Sequence, residues 1–206
     1  MSGGSARVVV FDIGNVLLRW NPRNLYRKMF PDPARMEWFL ANVCDGPWNE
    51  AQDAGRPWAE AVAECCGRFP DWQSEIRAYD ERWIEMLDGE ISDNVRVLES
   101  LKGAGVPVFA ITNFSTEKFD LARKRHAFLA LFDGIVVSGH ERLLKPDPRI
   151  FELFLTRYGF AGAECIFIDD SETNVRVASR LGMATIHFSE TLDLRAALGA
   201  LLPAWA

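Results

Sequence analysis

The sequence predicts an α/β fold: a parallel sheet of five strands with helices on both faces, plus a small helical bundle inserted after the first strand. Three observations carry this. Apolar, β-branched runs such as Val8-Val9-Val10-Phe11 and Cys165-Ile166-Phe167-Ile168 are continuous rather than alternating, as in strands buried on both faces. From Ile91 onward such runs alternate with segments of helical spacing, the signature of a parallel sheet with crossover helices. Between about residues 21 and 87 helical spacing recurs without a clear strand.

A chain of 206 residues is long enough for one large domain or a core with an insertion. Apolar residues make up 49% and charged residues 25%, the balance of a globular protein. The net charge is −6 and there is no Lys/Arg-rich run, which argues against nucleic acid as a partner. An anionic small molecule stays compatible where a lysine or a metal offsets the acidic background. The four cysteines, Cys44, Cys65, Cys66 and Cys165, lack metal-ligand spacing, and His126, His140 and His187 are scattered. They read as free, mostly packed thiols of a reducing compartment, with no zinc site. Residues 1–6 read as polar and flexible. No apolar leader and no run approaching 18 apolar residues is present, so a cytoplasmic protein without membrane contact is expected.

The first strand ends in Asp12, and a turn follows at Gly14. Asn21-Pro22 opens a first insert helix with Leu25, Met29 and Phe30 on one face. Pro31-Asp32-Pro33 breaks it and starts a second, bearing Met36, Phe39, Leu40 and Val43. A turn is expected around residues 45–47, a third helix from Pro57, and a fourth from Asp71 with Ile76, Tyr79 and Trp83. A helix carrying Val95, Leu98 and Leu101 ends at Gly103 and Gly105. Strands are then expected at 106–111, 134–138, 165–168 and 184–188, and helices at 116–126, 148–158 (capped by Asp147), 171–181 (capped by Ser171) and 192–201. This makes a Rossmann-like core of residues 1–18 and 89–206, and a cap of residues 19–88.

Ligands of open parallel sheets bind at the C-terminal strand ends. Asp12, Thr112-Asn113, Lys145 and Asp169-Asp170 all fall at or after such ends. The adjacent pair Asp169-Asp170 calls for a cation or donors nearby, because neighbouring carboxylates repel.

In order and spacing these positions resemble the four motifs of the haloacid dehalogenase superfamily of hydrolases. Phe11-Asp12-Ile13-Gly14-Asn15-Val16 resembles the first, Ile111-Thr112-Asn113 the second, Lys145-Pro146-Asp147 the third and Phe167-Ile168-Asp169-Asp170 the fourth. The insert matches the family's small cap placed after motif one. The resemblance implies Asp12 as nucleophile, forming an aspartyl-phosphate. It implies Mg²⁺ held by Asp12, Asp170 and the Gly14 carbonyl, with Asp169 as a weaker or outer ligand and Asn174 holding a water or the loop. Thr112 and Asn113 would donate to phosphate oxygens, and Lys145 would neutralise the phosphoryl group and the carboxylates. The implied substrate is a small phosphorylated metabolite, and the enzyme a monomer or homodimer.

The chain departs from the family's usual phosphatases at Gly14, where a second aspartate normally serves as acid and base. Bacterial sugar-phosphate phosphatases with Phe-Asp-Leu-Gly-Asn-Val are similar at this place. Three readings follow: a phosphatase with its proton donor elsewhere, a metal-free haloacid hydrolase using Asp12, or a weakened catalytic scaffold that binds or regulates. For the substrate's organic group the cap offers Trp48 to stack and Arg56 to pair, with Trp20 also placed to face the site.

Overall fold

The structure, a computed structural model, describes residues 7–203 and 205. Residues 1–6, expected to be flexible, lie outside the described residues. In chain order the first elements are β1 (Val8–Phe11), β2 (Leu18–Trp20), α1 (Arg23–Tyr26), α2 (Pro33–Asn42), α3 (Gly46–Asp53), α4 (Trp58–Arg68), α5 (Gln73–Glu81) and β3 (Leu87–Glu90). There follow α6 (Ser92–Gly103), β4 (Val108–Thr112), α7 (Thr116–Arg125), β5 (Gly134–Val137), α8 (Ser138–Glu141), α9 (Pro148–Tyr158), β6 (Cys165–Asp169), α10 (Glu172–Arg180), β7 (Ala184–His187) and α11 (Leu194–Leu201).

Five strands form one parallel sheet in the order β5-β4-β1-β6-β7, as the sequence predicts. Val10 lies between Phe109 and Phe167, and Phe11 between Ala110 and Ile168. Successive side chains point to opposite faces of a strand. Val8, Val10, Phe109, Ile111 and Phe167 therefore pack with Ile150, Phe151 and Phe154 of α9 and Ala178 of α10. Val9, Phe11, Ala110, Ile166 and Ile168 pack with Leu98 and Leu101 of α6, Ala122 of α7 and Leu198 of α11. Covering both faces explains why the strands carry no polar alternation. The chain passes from β1 to β4 and β5 on one side, then crosses to β6 and β7 on the other, so the topological switch opens beside the end of β1.

The insert differs from expectation in two places. Residues 18–20 and 87–90 pair as an antiparallel ribbon, with Leu18 opposite Glu90 and Trp20 opposite Leu87. Strands of three and four residues are too short to show a period, and Leu-Asp-Gly-Glu lacks β-branched residues. The chain enters the helical insert through β2 and leaves it through β3. The turn expected at 45–47 is the start of α3. Asp45 caps it, its carboxylate accepting from the Trp48 N–H at 2.8 Å, and Pro47 occupies the first turn, where its missing N–H costs nothing. Asp-Gly-Pro serves a helix start as well as a turn. Farther on, Ser171 precedes α10 without a side-chain capping bond; its N–H instead donates to Asp169 Oδ1 at 2.8 Å.

Aromatic rings fill the insert: Tyr26, Phe30, Phe39 and Trp72 at one end, and Trp48, Trp58 and Tyr79 at the other. This cluster is continuous with the sheet's α6 and α7 face. No helix among the described residues is long and apolar enough to cross a membrane. Because α3 is only 8 residues long, its cap carries much of its local stability. Asp45→Ala is expected to cost about 1 kcal/mol, read as a Tm about 2–4 °C lower in thermal unfolding.

Candidate active site

β1 delivers Asp12 to the sheet edge, and the turn that follows is built to present it. The Ile13 N–H donates to Asp12 Oδ1 at 2.7 Å. Leu17 and Leu18 N–H groups both donate to the Ile13 carbonyl at 2.9 Å. The left-handed residue of this turn is Asn15, with φ of 52°, and its carboxamide oxygen accepts from the Trp20 N–H at 3.0 Å. Asparagine tolerates that conformation. Gly14 does not adopt it, and a β-carbon placed there would meet nothing within 4 Å. The glycine is therefore not demanded by the backbone.

Lys145 lies buried between two carboxylates, 2.8 Å from Asp12 Oδ1 and 2.7 Å from Asp169 Oδ2. Asn113 holds this lysine by its backbone: the Lys145 N–H donates to Asn113 Oδ1 at 2.8 Å, and Asn113 Nδ2 donates to the Lys145 carbonyl at 2.9 Å. The Asn113 carboxamide thus uses its oxygen and one of its two N–H donors on the Lys145 backbone, while the residue also lines the adjacent cavity. Asp169 is fully buried and also accepts from Asn174 Nδ2 at 3.0 Å on each oxygen. Both its oxygens are occupied, so it holds Lys145, and Asn174 holds it.

Asp12, Asp169 and Asp170 each offer an oxygen within 4.8 Å of the others. Among the described residues, neither Asp12 Oδ2 nor the Asp170 carboxylate accepts a hydrogen bond from another residue. Three carboxylates against one lysine leave an excess of negative charge. Burial raises the Asp12 carboxyl to about 7, with Lys145 pulling it down and Asp169 and Asp170 pushing it up. Desolvation and then Asp169 raise Asp170 as well. Burial alone would lower Lys145, but Asp12 and Asp169 outweigh it and hold its ammonium above the ordinary lysine value. An all-oxygen donor set with surplus negative charge fits a hard divalent cation such as Mg²⁺, for which Asp12 and Asp170 offer the unengaged oxygens.

A cavity of about 180 Å³ opens above these groups. Asp12, Gly14, Asn15, Asn113 and Asp170 line it from the sheet side. Leu18, Trp20, Trp83, Leu87 and Phe114 form an apolar wall, joined by Asn49, Asp53 and Lys118. Trp20 is where the sequence suggested. Thr112 Oγ1 is buried at the end of β4 without a partner among the described residues. Trp48 and Arg56 do not reach the cavity. Once residues 46–53 wind as a helix, Trp48 turns inward and packs edge-on against Trp58 and Tyr79 at 5.6 and 5.1 Å. Arg56 pairs with Glu60 at 3.5 Å and with Glu64. Asn49 and Asp53, one turn apart on α3, enter instead. Reading Asp45 as a helix cap would have revealed their common face. Lys118 is tied to Asp80 and lies 4.7 Å over the Trp58 ring.

Fold and site together define a Rossmann-like α/β scaffold with a cluster of carboxylates around a buried lysine at the switch point. The chain belongs to the haloacid dehalogenase-like hydrolases, whose family model matches residues 6–182. It is 37% identical over 189 residues to the sesquiterpene phosphatase astK of Aspergillus oryzae, covering 90% of this chain and 91% of that one. Its fold is similar to that of a family enzyme of Bacteroides thetaiotaomicron solved with magnesium and inorganic phosphate. That likeness has a TM-score of 0.74 and 21% identity, over 94% of this chain and 99% of that one. The L-2-haloacid dehalogenase of Xanthobacter autotrophicus shares the fold at a TM-score of 0.63 and 16% identity, over 98% and 84% of the two chains.

Removing one partner of a buried ion pair strands the others, at a cost of about 3–5 kcal/mol. Lys145→Met is expected to lower the Tm of the metal-free protein by about 6–20 °C. Added Mg²⁺ should recover part of the loss, which thermal melts with and without the ion will show.

Proposed function

We propose that this hydrolase is a Mg²⁺-dependent phosphatase that cleaves a small phosphorylated metabolite through an aspartyl-phosphate on Asp12. The observation that carries the reading is the trio Asp12, Asp169 and Asp170 around one buried lysine. Asp12 Oδ1 is pinned by Lys145 and the Ile13 N–H, which leaves Oδ2 to attack phosphorus in line. Lys145, fixed by the Asn113 clamp, is the local positive charge for the phosphoryl oxygens. Leaving a buried hydroxyl unpaired costs about 1–3 kcal/mol, so Thr112 Oγ1 gains a partner when a phosphate oxygen arrives. Asp12, Asp170 and the Gly14 carbonyl would hold Mg²⁺, which when bound supplies the charge that lets an anion approach two carboxylates.

The organic group of the substrate meets the wall of Leu18, Trp20, Trp83, Leu87 and Phe114. Burying apolar surface there contributes roughly 25 cal/mol per Å², so the wall supports an apolar alcohol more than a sugar. The name of the Aspergillus relative, a sesquiterpene phosphatase, is consistent with that. The sugar-phosphate reading draws on Asn49 and Asp53, the amide and carboxyl beside the wall.

Turnover of prenyl, alkyl and sugar phosphates, measured with Mg²⁺ and with EDTA, tests both levels. Release of phosphate that needs Mg²⁺ and is highest for prenyl or long alkyl esters is expected. Asp12→Asn should lower it by about 10³-fold or more. Activity indifferent to EDTA, or chloride release from a 2-haloacid, would replace this reading with the haloacid hydrolase.

A further inference from the structure

If Asp12 attacks phosphorus, the alcohol that leaves needs a proton, and Gly14 has no side chain to give one. We infer that Asp53, the last residue of α3, is the general acid and base of this enzyme, supplied by the helical insert instead of by the residue two after the nucleophile. The inference rests on the phosphatase reading of the same site.

Asp53 lines the cavity shared by Asp12, Gly14 and Asp170. Among the cavity's lining residues the titratable side chains are Asp12, Asp170, Asp53 and Lys118. Asp12 and Asp170 belong to the nucleophile and cation set, and the Lys118 ammonium is taken by the Asp80 carboxylate and carbonyl. That leaves Asp53. It is anchored to the sheet rather than carried loosely. Ser138 Oγ donates to the Asp53 carbonyl at 2.6 Å and accepts from the Phe114 N–H at 2.8 Å. The end of α3 is thus tied to the loop that follows Asn113. The carboxyl itself is aimed by Asn49, whose Nδ2 donates to Asp53 Oδ2 at 2.9 Å, while Tyr79 Oη donates to Asn49 Oδ1 at 3.2 Å.

The surroundings suit a carboxyl that holds a proton near neutrality. Burial raises Asp53 to about 7, opposed by the Ser115 backbone N–H and the Asn49 carboxamide and assisted by Glu50. The charged or titratable groups around it are Glu50 on its own helix, Tyr79 from α5, Lys118 from α7, and Asp12 and Asp170 across the cavity. A general acid works best with a pKa near the working pH.

The steps balance as follows. As the bond from Asp12 Oδ2 to phosphorus forms, the bond from phosphorus to the ester oxygen breaks. The Asp53 carboxyl gives its proton to that oxygen, so the product leaves as a neutral alcohol. The Asp53 carboxylate then takes a proton from the water that attacks phosphorus, and Asp12 departs as a carboxylate. Phosphate is released and Asp53 is protonated again.

A comparison of n-hexyl phosphate with 4-nitrophenyl phosphate tests this, since only the alkoxide needs protonation to leave. With Mg²⁺, Asp53→Asn is expected to lower kcat/KM, which reports only the steps up to departure of the leaving group, by about 10²–10³-fold on the hexyl ester and by less than tenfold on the nitrophenyl ester. The fall of the wild-type hexyl rate above pH of about 7 should vanish in the variant. Gly14→Asp placed on Asp53→Asn should restore the hexyl rate at least about tenfold, because position 14 has room for a side chain. Equal losses on both esters, or an unchanged pH limb, would overturn the assignment. Wild type alone gives an independent reading if Asp53→Asn fails to fold. A kcat/KM nearly independent of leaving-group acidity across a series of phosphate esters supports an internal acid, and a steep dependence overturns it. Failure of wild type to cleave either ester with Mg²⁺ would instead remove the phosphatase reading itself.

Discussion

The Lys145 ammonium, buried between Asp12 and Asp169, is the interaction on which the rest of the site depends. A buried charge is tolerated only when paired and hydrogen-bonded, and here each partner is constrained in turn. Asn113 fixes the lysine's backbone, and Asn174 and the Ser171 N–H fix Asp169. The Ile13 N–H fixes the same Asp12 oxygen that faces the lysine. The result is an Asp12 carboxylate with one oxygen held and one free. Lys145 offsets one of three carboxylates, and in the proposed phosphatase the remainder would draw a cation and, through it, an anionic substrate into an acidic protein.

This arrangement exists only because the sheet is parallel and β1 is central. Asp12 directly follows β1, while Asp169 ends β6 and Thr112 ends β4, the two strands flanking β1. Adjacent strands are about 4.8 Å apart, which sets the spacing between the carboxylates without any contribution from the intervening chain. The insert can then vary in shape while the phosphoryl end of the site stays the same. What it adds is the apolar wall: Trp83 stands beside Phe114 at 5.5 Å, and Trp20 and Leu87 face one another across the ribbon.

The core was legible in the sequence because its signals are local and chemically distinctive. Val8-Val9-Val10-Phe11-Asp12 and Ile166-Phe167-Ile168-Asp169-Asp170 join β-branched and aromatic strand formers directly to carboxylates. The insert was less legible because its signals admit two outcomes. Asp45-Gly46-Pro47 suits a turn as well as a helix start, and taking it as a turn exposes Trp48 and leaves Asp53 without a face. The helix reverses both. Packing with Trp58 and Tyr79 draws Trp48 inward, and the period of 3.6 residues then carries Asn49 and Asp53 together to the cavity. Arg56 follows the end of that helix, where Glu60 and Glu64 of α4 satisfy it. The clamp of Asn113 on the Lys145 backbone was not legible, since a carboxamide at a strand end carries no sign of whether it will also meet a backbone.

Gly14 links the two halves of the molecule. The turn does not require glycine there, because Asn15 adopts the left-handed conformation and the space beside Gly14 is open. With that position empty, proton transfer falls to a group that reaches the cavity from the insert. An acid on the sheet would be present whatever occupied the cavity. An acid at the end of α3 is aligned only when the insert is seated on the loop after β4, through Ser138 and the Asp53 carbonyl. Seating the insert also completes the apolar wall that holds the organic group and excludes water, which strengthens every charge interaction inside. Recognition of the alcohol and protonation of its oxygen would then share one structural condition, so an ester that does not hold the insert in place would be cleaved poorly even when its phosphoryl group sits correctly on Asp12.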